Sequence, residues 1–310
     1  MRIFVFKHQL ILALLVLLTA GCNGSALTIN SNLSNNSTQQ AAMFPTVVGG
    51  SPLPTFSGQI DVTGIALLYT PVPVPTTAPD ASTGWVAFAN GMAYRQLGFT
   101  GSSGAVSLFV TRINPQNAAF RVYYTAGQLH TIDEWRGALP DAKVIINGGY
   151  FDTSNNALGL IFSDKAAYGS PSTRSDSGLF QVSGGTARIR SLWLEPLQSG
   201  ESYDQALQNF PILMAQGQAA PINPDLAGSA ARRSVIATDN AGNVLLIATA
   251  QGTCTLSDLI AWLAASGLDI NMALNLDGGG STALSLAASG ATQGVGGLKP
   301  IPDVIAVYAQ

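Results

Sequence analysis

The sequence predicts an α+β domain: a largely antiparallel or mixed β-sheet with a few packed helices, preceded by a tether. Three observations lead there. Short β-rich runs recur from Ala105 onward, separated by clusters of Gly, Pro, Asn, Asp and Ser. Helix signals are few, and the clearest carries both a start and a stop. No internal repeat of about 20 to 50 residues is visible, which argues against solenoids and propellers.

Residues 1–21 have the features of a signal peptide. Arg2 and Lys7 give a positive start, and Leu10 to Leu18 is an unbroken apolar run. That run is shorter than the roughly 20 residues a membrane span needs. It ends in Leu18-Thr19-Ala20-Gly21-Cys22, which resembles a bacterial lipobox, with Cys22 as the lipidated residue. At ~0.8 kcal/mol per buried methylene, two or three acyl chains would anchor the protein stably. An ordinary secretory signal with a chance cysteine is the alternative. Asn23 after the cysteine implies, by the same resemblance, sorting to the outer membrane, so the expected location is the cell envelope. Residues 22–83 form the expected flexible tether. It is Asn/Ser/Thr-rich to Gln40, and Pro71-Val72-Pro73-Val74-Pro75 is a stiff extended spacer.

The domain is expected over residues 84–310. Val106 to Ile113 and Ala119 to Tyr124 read as strands around the turn Asn114-Pro115-Gln116-Asn117. Thr131 to Leu139 reads as a short helix, with Thr131 as N-cap and Glu134 completing a capping box. Val144 to Ile146 is a buried strand. Two hairpins follow, Gly178 to Val182 with Ala187 to Leu194, and Ser234 to Thr238 with Val244 to Ala250. The clearest helix is Leu256 to Ala265, capped by Thr255 and stopped at Ser266-Gly267. Strands Met272 to Leu276, Thr282 to Leu286 and Val304 to Tyr308 close the domain.

Charge and cysteine content bound the function. Only 10% of residues are charged and the formal net charge is −3, against about 25% charged in typical domains. No Lys/Arg cluster beyond Arg232-Arg233 exists to track phosphates, so nucleic acid is not expected as a partner. With Cys22 acylated, Cys254 has no partner for a disulfide. His130 is distant in sequence, so Cys254 reads as a buried inert thiol rather than a nucleophile.

Two strand-to-glycine corners stand out as the walls of one site. Asn147-Gly148-Gly149-Tyr150-Phe151-Asp152 follows one apolar run, and Asp277-Gly278-Gly279-Gly280-Ser281-Thr282 follows another. Glycines there suit a tight turn or a close approach, and their N–H groups are expected to be free for an anion or a sugar hydroxyl. Asp277 is the first candidate for chemistry, with turn capping as its alternative. Asn147 either binds a sugar hydroxyl or holds its corner together. Ser281 and Thr282 either donate to a ligand or start the next strand. Tyr150 and Phe151 read as core or pocket wall.

At these residues the chain resembles the phosphodiester glycosidase family, whose members include N-acetylglucosamine-1-phosphodiester α-N-acetylglucosaminidases. The resemblance is ordered. It runs from Trp85–Leu97 through the Asn147 corner, Ala206-Leu207-Gln208-Asn209-Phe210-Pro211-Ile212-Leu213, Arg233-Ser234 and the capped helix to the Asp277 corner. Each motif alone is weak, since Asn-Gly-Gly and Asp-Gly-Gly are common turns; together and in this order they are specific. Lys299-Pro300 and Asp303 depart from the family's Arg-Pro and Asn, and a lysine lacks the guanidinium fork.

The resemblance implies a hydrolase that cleaves the C1–O bond of a sugar-1-phosphodiester in envelope or extracellular glycans. It makes Asp277, Arg233 and Asn147 the catalytic candidates, with Arg233 gripping the phosphate. Gly148, Gly149, Gln208, Gly278, Gly279, Gly280, Ser281, Thr282 and Lys299 become candidates for substrate binding. A phosphate leaves readily, so the second carboxylate of an ordinary glycosidase is not required. No cofactor is expected, although a single divalent cation at Asp277 stays open. The competing readings are a non-catalytic glycan-binding lipoprotein and a phosphodiesterase that cleaves P–O.

Overall fold

The computed structural model describes residues 84–310, except 224–226 and 289–290. The signal segment, Cys22 and the tether expected up to residue 83 lie outside the described residues.

The fold is mostly β. The largest sheet has eight strands in the order β1 (Val86–Ala89), β2 (Met92–Gly101), β3 (Gly104–Ile113), β14 (Val244–Gln251), β13 (Ser234–Asp239), β15 (Ile270–Asn275), β11 (Ile212–Ala215) and β12 (Gln218–Ala219). A second sheet runs β7 (Ala166–Tyr168), β6 (Ile161–Ser163), β10 (Gln205–Asn209), β8 (Gly178–Ser183) and β9 (Thr186–Ser191). The third runs β17 (Ala291–Val295), β16 (Leu284–Ala288), β5 (Val144–Asn147), β18 (Asp303–Ala309) and β4 (Ala118–Tyr124). The strand pairings within these sheets are antiparallel, as in β13 against β15 and β18 against β5.

Side chains alternate across each strand, and the alternation sorts them into separate cores. Ile236, Leu246 and Phe109 point into a central core shared by all three sheets, with Val144, Phe180, Leu207 and Ile305. Their neighbours Val235, Leu245 and Val110 point the other way, against helix α2 (Leu256–Ala265) through Leu256, Leu259 and Leu263. On the third sheet, Ile145, Val304 and Ala306 face helix α1 (Ile132–Ala138), where Trp135 fills the contact. Both faces of the central strands are thus covered. Runs such as Val235–Ala237 and Val144–Ile146 are accordingly apolar throughout.

The two α-helices among the described residues lie where their caps place them. Thr131 with Glu134 and Thr255 with Asp258 both form complete capping boxes. The α+β expectation nevertheless overstates the helical share. The segments between the recognised elements add strands rather than helices, and β10 shows why they were hard to see. Gln205, Gln208 and Asn209 are polar yet buried, because their amides bond to neighbouring strands and loops instead of water.

Trp135 is completely buried and its indole N–H donates to the Ile301 carbonyl at 3.2 Å. Trp135→Ala should cost ~3–5 kcal/mol. Urea unfolding should show this as a lower midpoint at unchanged slope.

Candidate functional site

Strand ends from all three sheets converge on the two glycine corners. β5 ends at Asn147, β15 runs through Asn275 towards Asp277, β18 begins at Asp303, and β10 leads through Asn209 to Pro211. The side chain of Asn147 is fully buried. Its Nδ2 donates to the Asp277 carbonyl at 2.8 Å, while its Oδ1 accepts from Ser234 Oγ at 2.7 Å and from the Ala283 N–H at 3.1 Å. Of the two readings open to Asn147, the geometry matches the one in which it holds the corner. The amide has no face left for a sugar ring.

The glycines serve close approach. A methyl group on Gly148 would stand 2.6 Å from Oδ2 of Asp303, and one on Gly278 would stand 2.7 Å from the Arg232 carbonyl. Their N–H groups, expected to be free for a ligand, are largely committed. Gly148 donates to the Asp303 carbonyl at 3.0 Å and Gly149 to Asp303 Oδ2 at 2.9 Å. Gly278 donates to Asp277 Oδ1 at 2.8 Å and Gly279 to the Arg232 carbonyl at 2.8 Å. For these four N–H groups the expectation is corrected: they are turned into the protein rather than toward a ligand.

Asp277 is the part-exposed carboxylate of the site. Burial raises its pKa above the ordinary aspartate value, against the Ser281 hydroxyl, the Gly278 N–H and the Lys299 charge, which all favour the ionised form. Lys299 is exposed, and its stem lies across Gly280, where a methyl group would come within 2.9 Å of its Cγ and Cδ. Ser281 is therefore placed on Asp277. Thr282 is fully buried, with no partner for its hydroxyl among the described residues, and so is removed from any ligand.

Arg233 lies behind the corner. Its Nε donates to the Cys254 carbonyl at 3.1 Å and one Nη to the Ser229 carbonyl. Burial lowers its pKa. The expected two-oxygen grip on phosphate is corrected accordingly, since that edge of the fork braces the main chain. Gln208 is likewise structural: its Oε1 accepts from Ser172 N–H at 2.8 Å and its Nε2 donates to the Ser172 carbonyl at 2.9 Å. Cys254 is buried and its thiol is pushed up to about 11, which suits an inert role.

Sequence reasoning gave too little weight to three residues. The Tyr150 hydroxyl accepts from Asn275 Nδ2 at 2.8 Å, and the tyrosine's pKa is raised by burial and by Asp277. The Tyr150 ring packs 4.9 Å from that of Phe210, and the Arg174 guanidinium lies 4.3 Å from the Phe210 ring. A cavity of about 480 Å³ adjoins, lined by Arg174, Ser175, Asp176, Pro221, Ile222 and Asn223. Asp303, noticed in the sequence only as a departure, is a buried second acid. Arg174 belongs to no motif, and only the fold brings it to Phe210.

A family model described as phosphodiester glycosidase matches residues 140–308, more than half of the chain and including both corners. The chain belongs to the phosphodiester glycosidase family. Among solved structures, the catalytic domain of zebrafish N-acetylglucosamine-1-phosphodiester α-N-acetylglucosaminidase, auto-inhibited by its pro-peptide, aligns with a TM-score of 0.54 at 15% identity, covering 75% of this chain and 86% of that one. A hypothetical protein from Synechocystis aligns with a TM-score of 0.53 at 16% identity, covering 73% of this chain and 63% of that one. This chain thus spans less than two thirds of the Synechocystis protein. At these identities the two structures speak for the fold. No curated protein matches the chain.

Asn147→Ala would strand the Ser234 hydroxyl, the Ala283 N–H and the Asp277 carbonyl together. At about 1–3 kcal/mol for each buried group left unpaired, the loss should exceed that of an ordinary core truncation. Chemical denaturation checks it, and Asn147→Asp should be costly too, because a carboxylate cannot donate to the Asp277 carbonyl.

Proposed function

We propose that the protein is a hydrolase that cleaves the glycosidic C1–O bond of a sugar-1-phosphodiester in envelope or extracellular glycans, releasing free sugar and a phosphomonoester. The observation that carries this reading is Asp277. It is a half-buried carboxylate on the family's glycine corner, held by Gly278 and Ser281, with the Lys299 ammonium acting on it.

Asp277 either attacks C1 or takes a proton from the attacking water, whose hydroxyl becomes the new C1–OH. The C1–O electrons leave with the phosphate, a group stable enough as an anion to need little protonation. Lys299 then supplies the positive charge that stabilises the departing oxygens. It takes over the electrostatic part expected of Arg233, but as a mobile point charge. Tyr150 and Phe210 wall the site, and the adjoining cavity beside Arg174 offers room for the aglycone.

The lipid anchor at Cys22 and an envelope location are part of the same proposal. Acylation there would place the site beside envelope polymers. Mass spectrometry of the membrane-extracted protein should find the acylated cysteine at the N-terminus after cleavage behind Gly21.

Turnover of a sugar-1-phosphodiester such as UDP-GlcNAc in ¹⁸O-water, with and without EDTA, tests the reaction. Label in the free sugar, lost with Asp277→Ala, is expected. Label in the phosphate would make the protein a phosphodiesterase instead, and no turnover of any diester would favour glycan binding.

Asp277→Asn should lower kcat about 10²–10⁴-fold. Because burial raises the pKa of Asp277 and Lys299 lowers it, activity should fall on the acid side above the ordinary aspartate range. Lys299→Met should move that acid limb to higher pH, which a pH–rate profile will show.

A further inference from the structure

Asp303 has no part in the reaction described above, yet it is built into the site from beneath. Its side chain is 2% exposed. Oδ2 accepts the Gly149 N–H at 2.9 Å, and its main-chain carbonyl accepts the Gly148 N–H at 3.0 Å. The Gly148 carbonyl in turn accepts the Asp277 N–H at 3.0 Å. A single glycine therefore links the seat of one acid to the main chain of the other. The absence of a side chain at Gly148 is what gives the Asp303 carboxyl its room.

Among the described residues, the surroundings offer this carboxyl no compensating cation. From β4, Tyr124 faces it, with its hydroxyl accepting the Ala157 N–H at 3.2 Å. From the other corner, Asp277 acts on it as a like charge. From the end of β5 comes Asn147, followed by Gly148 and Gly149, all uncharged. The ammonium of Lys299 acts on Asp277, on the solvent side.

We propose that Asp303 is a positioning residue that holds the Asn147–Gly149 corner in its working shape only while its carboxyl carries a proton, so that this buried acid sets the alkaline limit of the site. Its effect on rate rests on the glycosidase reading; the proton itself does not.

Burial pushes Asp303 up to about 8, and the Asp277 charge pushes the same way, against the Gly149 N–H and the main-chain N–H of Asp303 itself. At neutral pH it is therefore a neutral carboxylic acid. Ionisation would put a second negative charge in a low-dielectric seat joined to Asp277 through Gly148. The folded value lies above the unfolded one, so the folded state holds the extra proton. Stability is then greatest in acid and falls as pH rises from about 4 through about 8.

Titration of the full protein with ¹³Cγ-labelled aspartate, followed by NMR, is the direct test. One aspartate should titrate near pH 8, disappear in Asp303→Asn, and shift to lower pH in Asp277→Asn, where the like charge is gone. Asp303→Asn keeps the uncharged shape and Asp303→Ala removes it. Activity at pH 6 should therefore fall in the alanine variant and recover in the asparagine variant. Wild-type kcat/KM should drop about tenfold per pH unit above pH 8, and Asp303→Asn should lose that limb together with the fall in Tm between about pH 4 and pH 8.

The proposal is overturned if no aspartate titrates above pH 6, if the midpoint ignores Asp277→Asn, or if Asp303→Asn keeps the alkaline limb. Should Asp303→Asn fail to fold, the Asp277→Asn midpoint decides. Should no diester be turned over, the glycosidase reading falls while the NMR titration still decides the proton.

Discussion

Three buried asparagine amides fasten the sheets together at one end, and the site exists because they do. Asn147 joins β5 to the Asp277 corner, to Ser234 at the start of β13 and to Ala283 before β16. Asn209 accepts from the Tyr150 N–H and donates to the Asn275 carbonyl, which brings in the second sheet. Asn275 donates to the Tyr150 hydroxyl and to the Phe210 carbonyl. Each made bond adds only about a kilocalorie per mole, but each broken one strands a buried polar group. A network with so little slack is rigid, and rigidity is what a carboxylate needs if it is to meet one atom of a substrate.

The chain is sparing with charge, and this shapes the site. In a protein with 10% charged residues, Asp277 and Asp303 lie on the two adjoining corners while a lysine acts on Asp277 from the solvent side. Low dielectric strengthens every interaction there. Two nearby acids in such a place are pushed apart in proton affinity, so one is held neutral while the other ionises. Asp277, with Ser281, Gly278 and Lys299 in its favour, is the one placed to ionise. Asp303, with only main-chain N–H groups beside it and no cation among the described residues, is the one placed to keep its proton. On the proposed reaction, the same geometry divides two identical side chains between reaction and support.

How much of this was legible depended on whether the cause was local. The capped helices announced themselves because Thr131 with Glu134 and Thr255 with Asp258 satisfy each other within a few residues. The hairpins around Ser183–Thr186 and Asp239–Asn243 were visible for the same reason. β10 was not, since Gln205 is buried only because its Oε1 accepts the Val122 N–H, 83 positions away. Asp277 could be singled out from its place on an apolar strand followed by glycines. The commitment of Arg233 to the Ser229 and Cys254 carbonyls could not, because an arginine opening a strand reads the same whether its fork faces a ligand or a loop. Asp303 was visible as an oddity, and its meaning waited on the glycine it lies beneath.

The glycines carry a further consequence for how the site treats phosphate. In a phosphate-binding loop, main-chain N–H groups point at the ligand, and the anion is held by a fixed cradle. Here four such groups, from Gly148, Gly149, Gly278 and Gly279, are turned inward to Asp303, Asp277 and Arg232. The cation that acts on Asp277 from the solvent side is the ammonium of Lys299, on a flexible stem that lies across Gly280. A rigid cradle would hold a bound diester and its departed phosphate alike. A tethered point charge can follow the oxygens as negative charge builds on them, and it binds the ground state weakly. On the proposed reaction, rigid main chain beneath the carboxylate and a mobile cation above it would favour the transition state over the substrate, and that difference is what raises a rate.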